Sequence, residues 1–329
     1  MTLTILGAGV CGLAVATELT RRGALVELID PTGGPGERSC SWWAGGMLAP
    51  FCESETAEEP VTRLGLEAAD WWQSAGVEVA RRGSLVVALN RDRGELDRFA
   101  RRTTQHRLLS GDEVKKTEQS LASRFDRALL FETEAHIDPR HALTTLRDNL
   151  AAQGTPVLRD GEPAGIIIDC TGLAARDHLP DLRGVRGEMA ILRAPEVSLT
   201  RPVRLLHPRH PLYIVPRRDG HFMLGATQIE SDSRGPATLR STVELLSAAY
   251  ALDPGFAEAE VVQIGADARP AFPDNLPRIR RRNGRIFVNG LFRHGFLLAP
   301  AMARMVAELV LDGRKPEVMD EDHGEWRAA

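Results

Sequence analysis

Gly7, Gly9 and Gly12 stand in the spacing G-x-G-x-x-G, within Gly7-Ala-Gly-Val-Cys-Gly12. Turns of this kind expose backbone N–H groups at a helix start, where they bind the diphosphate of a dinucleotide. Gly7 allows the tight turn, Gly9 lets the backbone approach a pyrophosphate, and Gly12 lets helix and strand pack closely. Val10 and Cys11 complete the turn and count with the glycines as cofactor contacts, Cys11 as a small filler rather than a reactive thiol. The spacing alone is weak evidence, and its setting strengthens it. Residues 2–6 predict a buried strand, and Leu13, Ala16 and Leu19 repeat at helical spacing. Gly23 supplies a helix stop, and residues 24–29 predict a second strand that ends on Asp30. An acid there can accept from ribose hydroxyls, which favours FAD or NAD over NADP.

Other polar residues are weaker candidates. Residues 166–172 predict a fully apolar parallel strand with a polar tip, which places Thr171 and Gly172 beside the nucleotide. The stretch 41–50 mixes small residues with Trp42 and Trp43, as a backbone lying against a flat group would; a packed loop is the alternative. His136, before Asp138-Pro139, reads as structural rather than as a base. Residues 52–59 carry four glutamates and read as a solvated surface turn. The arginines in 278–285 surround Asn283-Gly284 with no interleaved aromatics, which favours a solvated hairpin tip over a nucleic-acid patch. No metal site is assigned.

These groups need elements to hold them. Helices are expected over 64–72, 95–103, 140–153, 239–252 and 301–311, and further strands over 82–89, 128–131, 186–192, 211–216, 222–227, 261–265 and 286–290. Nucleotide-type elements occur at the start, middle and end, with hairpin-rich pieces between them. The expected fold is therefore α/β: a discontinuous Rossmann-type domain (1–75, 132–184 and 266–329) with an inserted antiparallel β-rich substrate domain (76–131 and 185–265). With 329 residues, 43% of them hydrophobic, the chain has room for both. A net charge of −4 gives no global attraction to nucleic acid or an anionic membrane. Four cysteines without C-x-x-C suit a reducing compartment, and no apolar run is long enough to span a bilayer. A cytoplasmic enzyme is expected.

The chain resembles the amine-oxidising flavoproteins of the D-amino-acid oxidase group, most closely the glycine oxidases of thiamine biosynthesis. The stretches that carry this are Gly7 to Gly12, Ala44-Gly-Gly-Met-Leu-Ala49, His136-Ile-Asp-Pro139, Tyr213-Ile-Val-Pro-Arg217 with Leu224-Gly-Ala-Thr227, Ala268-Arg-Pro270 with Pro273-Asp274, and Phe292-Arg-His-Gly-Phe-Leu-Leu-Ala-Pro300. The resemblance implies non-covalent FAD. It lays Cys40, Ser41, Gly45, Gly46 and Met47 along the flavin and pyrophosphate. It sets Leu291, Phe292, Arg293, His294, Gly295, Phe296 and Leu297 at the isoalloxazine edge. It implies that Arg269 binds the substrate carboxylate, helped by Tyr213 and Arg293. A planar guanidinium suits that task because it meets a carboxylate through two parallel hydrogen bonds. The alternative for Arg269 is a structural ion pair with Asp267 or Asp274, and for Tyr213 a place in a strand core.

The implied reaction is oxidation of glycine, and of sarcosine or small D-amino acids. Hydride leaves the α-carbon of the neutral amine for flavin N5, giving an imine. The electrons pass to O2 as H2O2, and the imine supplies thiazole formation. Rival readings are a flavin dehydrogenase of a secondary amine or proline derivative with a non-oxygen acceptor, and a nucleotide-binding scaffold without turnover. Oligomeric state stays open, a homo-oligomer included. The chain departs from the family pattern in the short segment 154–166, in Leu291, Pro211 and Gln228, and in Trp42 and Trp43.

Overall fold

The computed structural model describes residues 2–207 and 211–320. Strand β1 (Thr2–Leu6), helix α1 (Val10–Arg21) and strand β2 (Leu25–Ile29) form the expected opening unit. The two strands pair in parallel, Leu3 opposite Val26 and Leu6 opposite Ile29. They sit in a six-stranded sheet ordered Arg278–Arg282, Arg285–Asn289, Ile166–Asp169, β1, β2, Val157–Leu158. Its pairs are parallel except the hairpin Arg278–Arg282 with Arg285–Asn289. Helix α1 packs against the helices Pro139–Ala152 and Gly295–Asp312.

A second, nine-stranded sheet runs Ile229–Glu230, Arg183–Arg193, His221–Gly225, Leu212–Pro216, Val203–Leu206, Ser84–Ala88, Arg127–Phe131, Arg107–Ser110. Glu260–Ala271 pairs antiparallel with Arg183–Arg193 along nearly its whole length. Helix Leu239–Leu252 packs on this sheet, as the sequence predicts. The molecule is thus mixed α/β, with one largely parallel and one largely antiparallel sheet.

Four local expectations are corrected. The last helix begins at Gly295, not 301, and holds Pro300 inside it. Proline has no N–H to give the carbonyl four residues back, which normally breaks a helix. Here that carbonyl, on Phe296, instead accepts from the indole of Trp72 at 2.8 Å, and the two rings stack. Trp72 itself lies not in one helix over 64–72 but in the second of two short ones, Glu59–Gly65 and Ala68–Ser74. The strand expected over 261–265 extends to Glu260–Ala271 and includes Arg269 and Pro270. The arginines of 278–285 are not uniformly solvated: Arg280 is buried, paired with Asp181 at 2.6 Å and set over the Phe272 ring.

His136 is structural. It sits in the short ladder Met47–Leu48 with Ala135–His136, and burial, then Arg217 and Arg82, pull its pKa down to about 4. Nearby, buried Glu134 accepts from Cys52 N–H at 2.7 Å and from the Ser84 hydroxyl, tying residues 50–53 to the second sheet. Burial pushes Glu134 up from 4.5 to about 7, against the pull of those two donors. A carboxyl raised in the folded state supports folding fully below pH 4.5, and this contribution is lost as pH rises to about 7. Urea unfolding of wild type and Glu134→Gln at both ends of that window should show the wild type losing on the order of 3 kcal/mol relative to the variant. Parallel pH profiles would contradict this placement of Glu134.

Candidate active site

A cavity of about 1430 Å³ opens between the two sheets. One end is built by the glycine turn. Gly7 has φ +92°, and a Cβ there would meet the Cys170 carbonyl at 2.9 Å. Gly9 caps α1 with no side chain, and the Val10 N–H donates to Ser41 Oγ at 3.1 Å. Gly7, Gly9, Val10, Cys11, Asp30, Cys40, Ser41, Gly45, Gly46, Met47, Thr171 and Gly172 all line the cavity, as do residues 291–297. Gly12 does not; its missing Cβ lets α1 lie on the Gly7 carbonyl, since a Cβ would fall 1.8 Å from that oxygen.

Asp30 has a task the sequence did not show. Its Oδ2 accepts from Ala8 N–H at 2.7 Å and its Oδ1 from the Thr32 N–H and hydroxyl at 2.8 and 2.6 Å. It clamps the turn and, with about four acceptor positions on a carboxylate, keeps room for one more donor. The fit to FAD is good. Two long helices, α1 and Gly295–Asp312, begin at the wall of one cavity, and neither N-cap residue, Gly9 or His294, caps its helix with its own side chain. Free N–H groups and helix dipoles at such positions favour anionic groups.

The other end carries the cations. Tyr213 lies across from Arg204 in the ladder of Leu212–Pro216 with Val203–Leu206, and both line the cavity. The Tyr213 ring packs on bare Gly45, where a Cβ would stand 2.6 Å from it. Burial pushes its phenol up. Arg269 is desolvated, which pulls its pKa down, and among the described residues no carboxylate pairs with it. Its one hydrogen bond is from Nη1 to the Thr227 carbonyl at 3.3 Å. The suggested partners are occupied: Asp267 takes Arg234 at 2.6 Å and Asp274 takes Arg278 at 2.7 Å. The Arg269 guanidinium lies on Gly187, where a Cβ would fall 1.9 Å from Nη2.

Arg293 lines the same end but is tied down, its Nη2 2.8 Å from Glu53 and 2.7 Å from the Thr56 hydroxyl. Glu53 also accepts from Arg204 and meets His294 Nε2 at 3.0 Å. Burial opposes its ionisation, but Arg293, Arg204 and His294 outweigh this and hold its carboxyl well below the usual range. Residues 52–59 are therefore not a wholly solvated turn. Glu53 closes the helix Pro50–Glu53 and faces the cavity. Burial lowers His294 against the pull of Glu53, leaving two guanidinium groups on one carboxylate. Burial, with Asp267 adding, pushes the Cys40 thiol up to about 11.

Glu53, Arg204 and Gly187 were not singled out in the sequence. The only signal for Glu53 is Pro50, a good first residue for a short helix after the glycine-rich stretch. Arg204 and Gly187 gave none, because each matters only through a partner distant in sequence, Glu53 for Arg204 and Arg269 for Gly187.

A cavity with this turn, this acid and these helix starts defines a dinucleotide-dependent oxidoreductase. Residues 2–309 match the DAO family model, FAD dependent oxidoreductase, and the chain belongs to that family. A Rhizobium etli protein described as a thiamine biosynthesis oxidoreductase, ThiO, is 53% identical over 322 residues, covering 94% of this chain and 97% of its own. Glycine oxidase of Bacillus licheniformis is 26% identical over 348 residues, covering 93% and 92%. Iminodiacetate oxidase from Chelativorans sp. BNC1 shares the fold, with a TM-score of 0.80 at 23% identity over 97% of this chain and 99% of that one. The cofactor is FAD, and the kinship is with amino-acid-oxidising flavoproteins.

The contact between Gly187 and Arg269 gives a direct test. Gly187→Ala should fold, because the atoms in its way end a flexible side chain, but Arg269 must swing aside. Affinity for acetate, read from the flavin spectrum, should fall about tenfold or more with little change in melting temperature. Unaltered acetate binding would show that the position of this guanidinium does not matter.

Proposed function

We propose that the chain oxidises glycine, with sarcosine and small D-amino acids as lesser substrates, and that the resulting imine supplies thiazole formation in thiamine synthesis. The observation that carries this is the part-buried Arg269 guanidinium at the wall of the cavity, with which no carboxylate of the described residues pairs. Arg269 receives the substrate carboxylate through two parallel hydrogen bonds, and the Tyr213 phenol adds a third donor. Arg293 supports this end with the donors not spent on Glu53 and Thr56. Bare Gly45 and Gly187 let the phenol and the guanidinium lie close against the backbone.

The substrate amine must be neutral to be oxidised. Arg269, with Arg204 and Arg293 sharing the single charge of Glu53, leaves surplus positive charge at this end. Positive charge nearby disfavours an ammonium and lowers its pKa, so no dedicated base is required. FAD held here would supply the acceptor for the α-hydrogen with its electron pair and the route of the electrons to O2, with H2O2 as product. The cofactor is held by the 7–12 turn, Asp30, residues 40–47, Thr171, Gly172 and residues 291–297. The division into a cofactor part (1–75, 132–184 and 266–329) and a substrate part (76–131 and 185–265) belongs to this proposal. It is supported by the separation of the two sheets.

Anaerobic mixing with glycine tests the reading. Wild type should bleach its flavin, and in air should release one H2O2 per glycine. Arg269→Ala should keep its flavin but lose about a hundredfold or more in kcat/KM, as removing one side of a buried ion pair predicts. Arg269→Lys should recover little, because a point charge cannot make the two-pronged contact. Near-normal flavin reduction in Arg269→Ala would remove the residue from the site.

A further inference from the structure

Resting on that reading of Arg269, we propose that Arg234 is a positioning residue for substrate binding: it holds Asp267 so that Arg269 stays available to a carboxylate. Asp267 and Arg269 are two apart on the strand Glu260–Ala271 and therefore project from the same face. Asp267 stands opposite Gly187 in the ladder with Arg183–Arg193. The Arg269 side chain turns back along the strand and lays its guanidinium on that same Gly187. The cation thus lies over the backbone directly across from Asp267, the nearest place for an internal ion pair. Such a pair would fill the site with the protein's own carboxylate.

The pair is not made. Arg234, on the loop between Ile229–Glu230 and the helix Leu239–Leu252, takes both oxygens of Asp267, Nε to Oδ1 at 2.6 Å and Nη2 to Oδ2 at 3.0 Å. The Ala268 N–H adds a bond to Oδ1 at 2.8 Å. Arg234 Nη2 also donates to the Arg38 carbonyl, which anchors the guanidinium from the loop after β2. The carboxylate is buried while the Arg234 side chain is 52% exposed. Arg234 is thus bound to a carboxylate that, released, faces the Arg269 guanidinium across the ladder.

The experiment uses the FAD-loaded full chain and measures acetate affinity from the flavin spectrum, together with KM and kcat for glycine. Arg234→Met should weaken acetate and raise KM about tenfold, while kcat stays within about twofold and flavin content is unchanged, because the site is blocked and not rebuilt. Arg234→Lys, which keeps a cation at Asp267, should lie between the two. Asp267→Asn added to Arg234→Met should restore acetate affinity to within about threefold of wild type, since a neutral amide cannot occupy Arg269. Unchanged affinity in Arg234→Met overturns the inference. A loss that Asp267→Asn does not repair also overturns it, because Arg234 would then act only as a tie to Arg38. Arg269→Met run in parallel separates the claims: acetate affinity retained there would defeat the carboxylate anchor itself.

Discussion

A guanidinium taken out of water without an anion is one of the costlier things a protein can keep. Arg269 meets part of that cost: it is part-buried in the cavity wall, and no carboxylate of the described residues pairs with it. Three other arginines with little exposure follow the ordinary rule. Arg186 pairs with Glu188, Arg280 with Asp181 and Arg204 with Glu53. Among the described residues, the Arg269 guanidinium has the Thr227 carbonyl as its acceptor and lies on the bare surface of Gly187. In the proposed reaction a substrate carboxylate supplies the missing charge, and the cost of holding the cation alone in the free protein becomes selectivity for an acid.

The architecture brings this cation to the cofactor. The long ladder of Arg183–Arg193 with Glu260–Ala271 belongs to the antiparallel sheet, yet its far end reaches the parallel one. There the Pro270 carbonyl accepts from the Phe292 N–H at 2.9 Å. Arg269 is one residue from that joint, and the helix Gly295–Asp312 starts three residues beyond Phe292. Arg269 and the second helix start are therefore fixed to each other by a backbone hydrogen bond. The indole of Trp72 makes this possible by accepting the duty of the N–H that Pro300 lacks.

The parts of the fold legible in the sequence are those with local spacing. The unit from Leu3 to Asp30 shows in the glycine interval and the apolar periods, and the helix Leu239–Leu252 shows in its period alone. Arg269 and Tyr213 came from resemblance, and the cavity brings them to one end. Features set by contact across the chain were not legible. Glu53 looks solvated among acidic neighbours until Arg204, Arg293 and His294 close on it. Gly187 is one more strand glycine until Arg269 lies on it. Pro300 reads as a boundary because its substitute donor lies far away in sequence. The second duty of Asp30, clamping Ala8, was hidden by the more familiar one.

The central claim is that the unpaired Arg269 is where the acid of the substrate goes. A crystal structure of the oxidised FAD-loaded enzyme with glycolate, a carboxylate without an amine, tests it by position. The account predicts the carboxylate on the Arg269 guanidinium through two hydrogen bonds, the Tyr213 hydroxyl as a third donor, and Asp267 still on Arg234. A carboxylate seated on Arg204 and Arg293 at Glu53, with Arg269 bare or turned to Asp267, would contradict it.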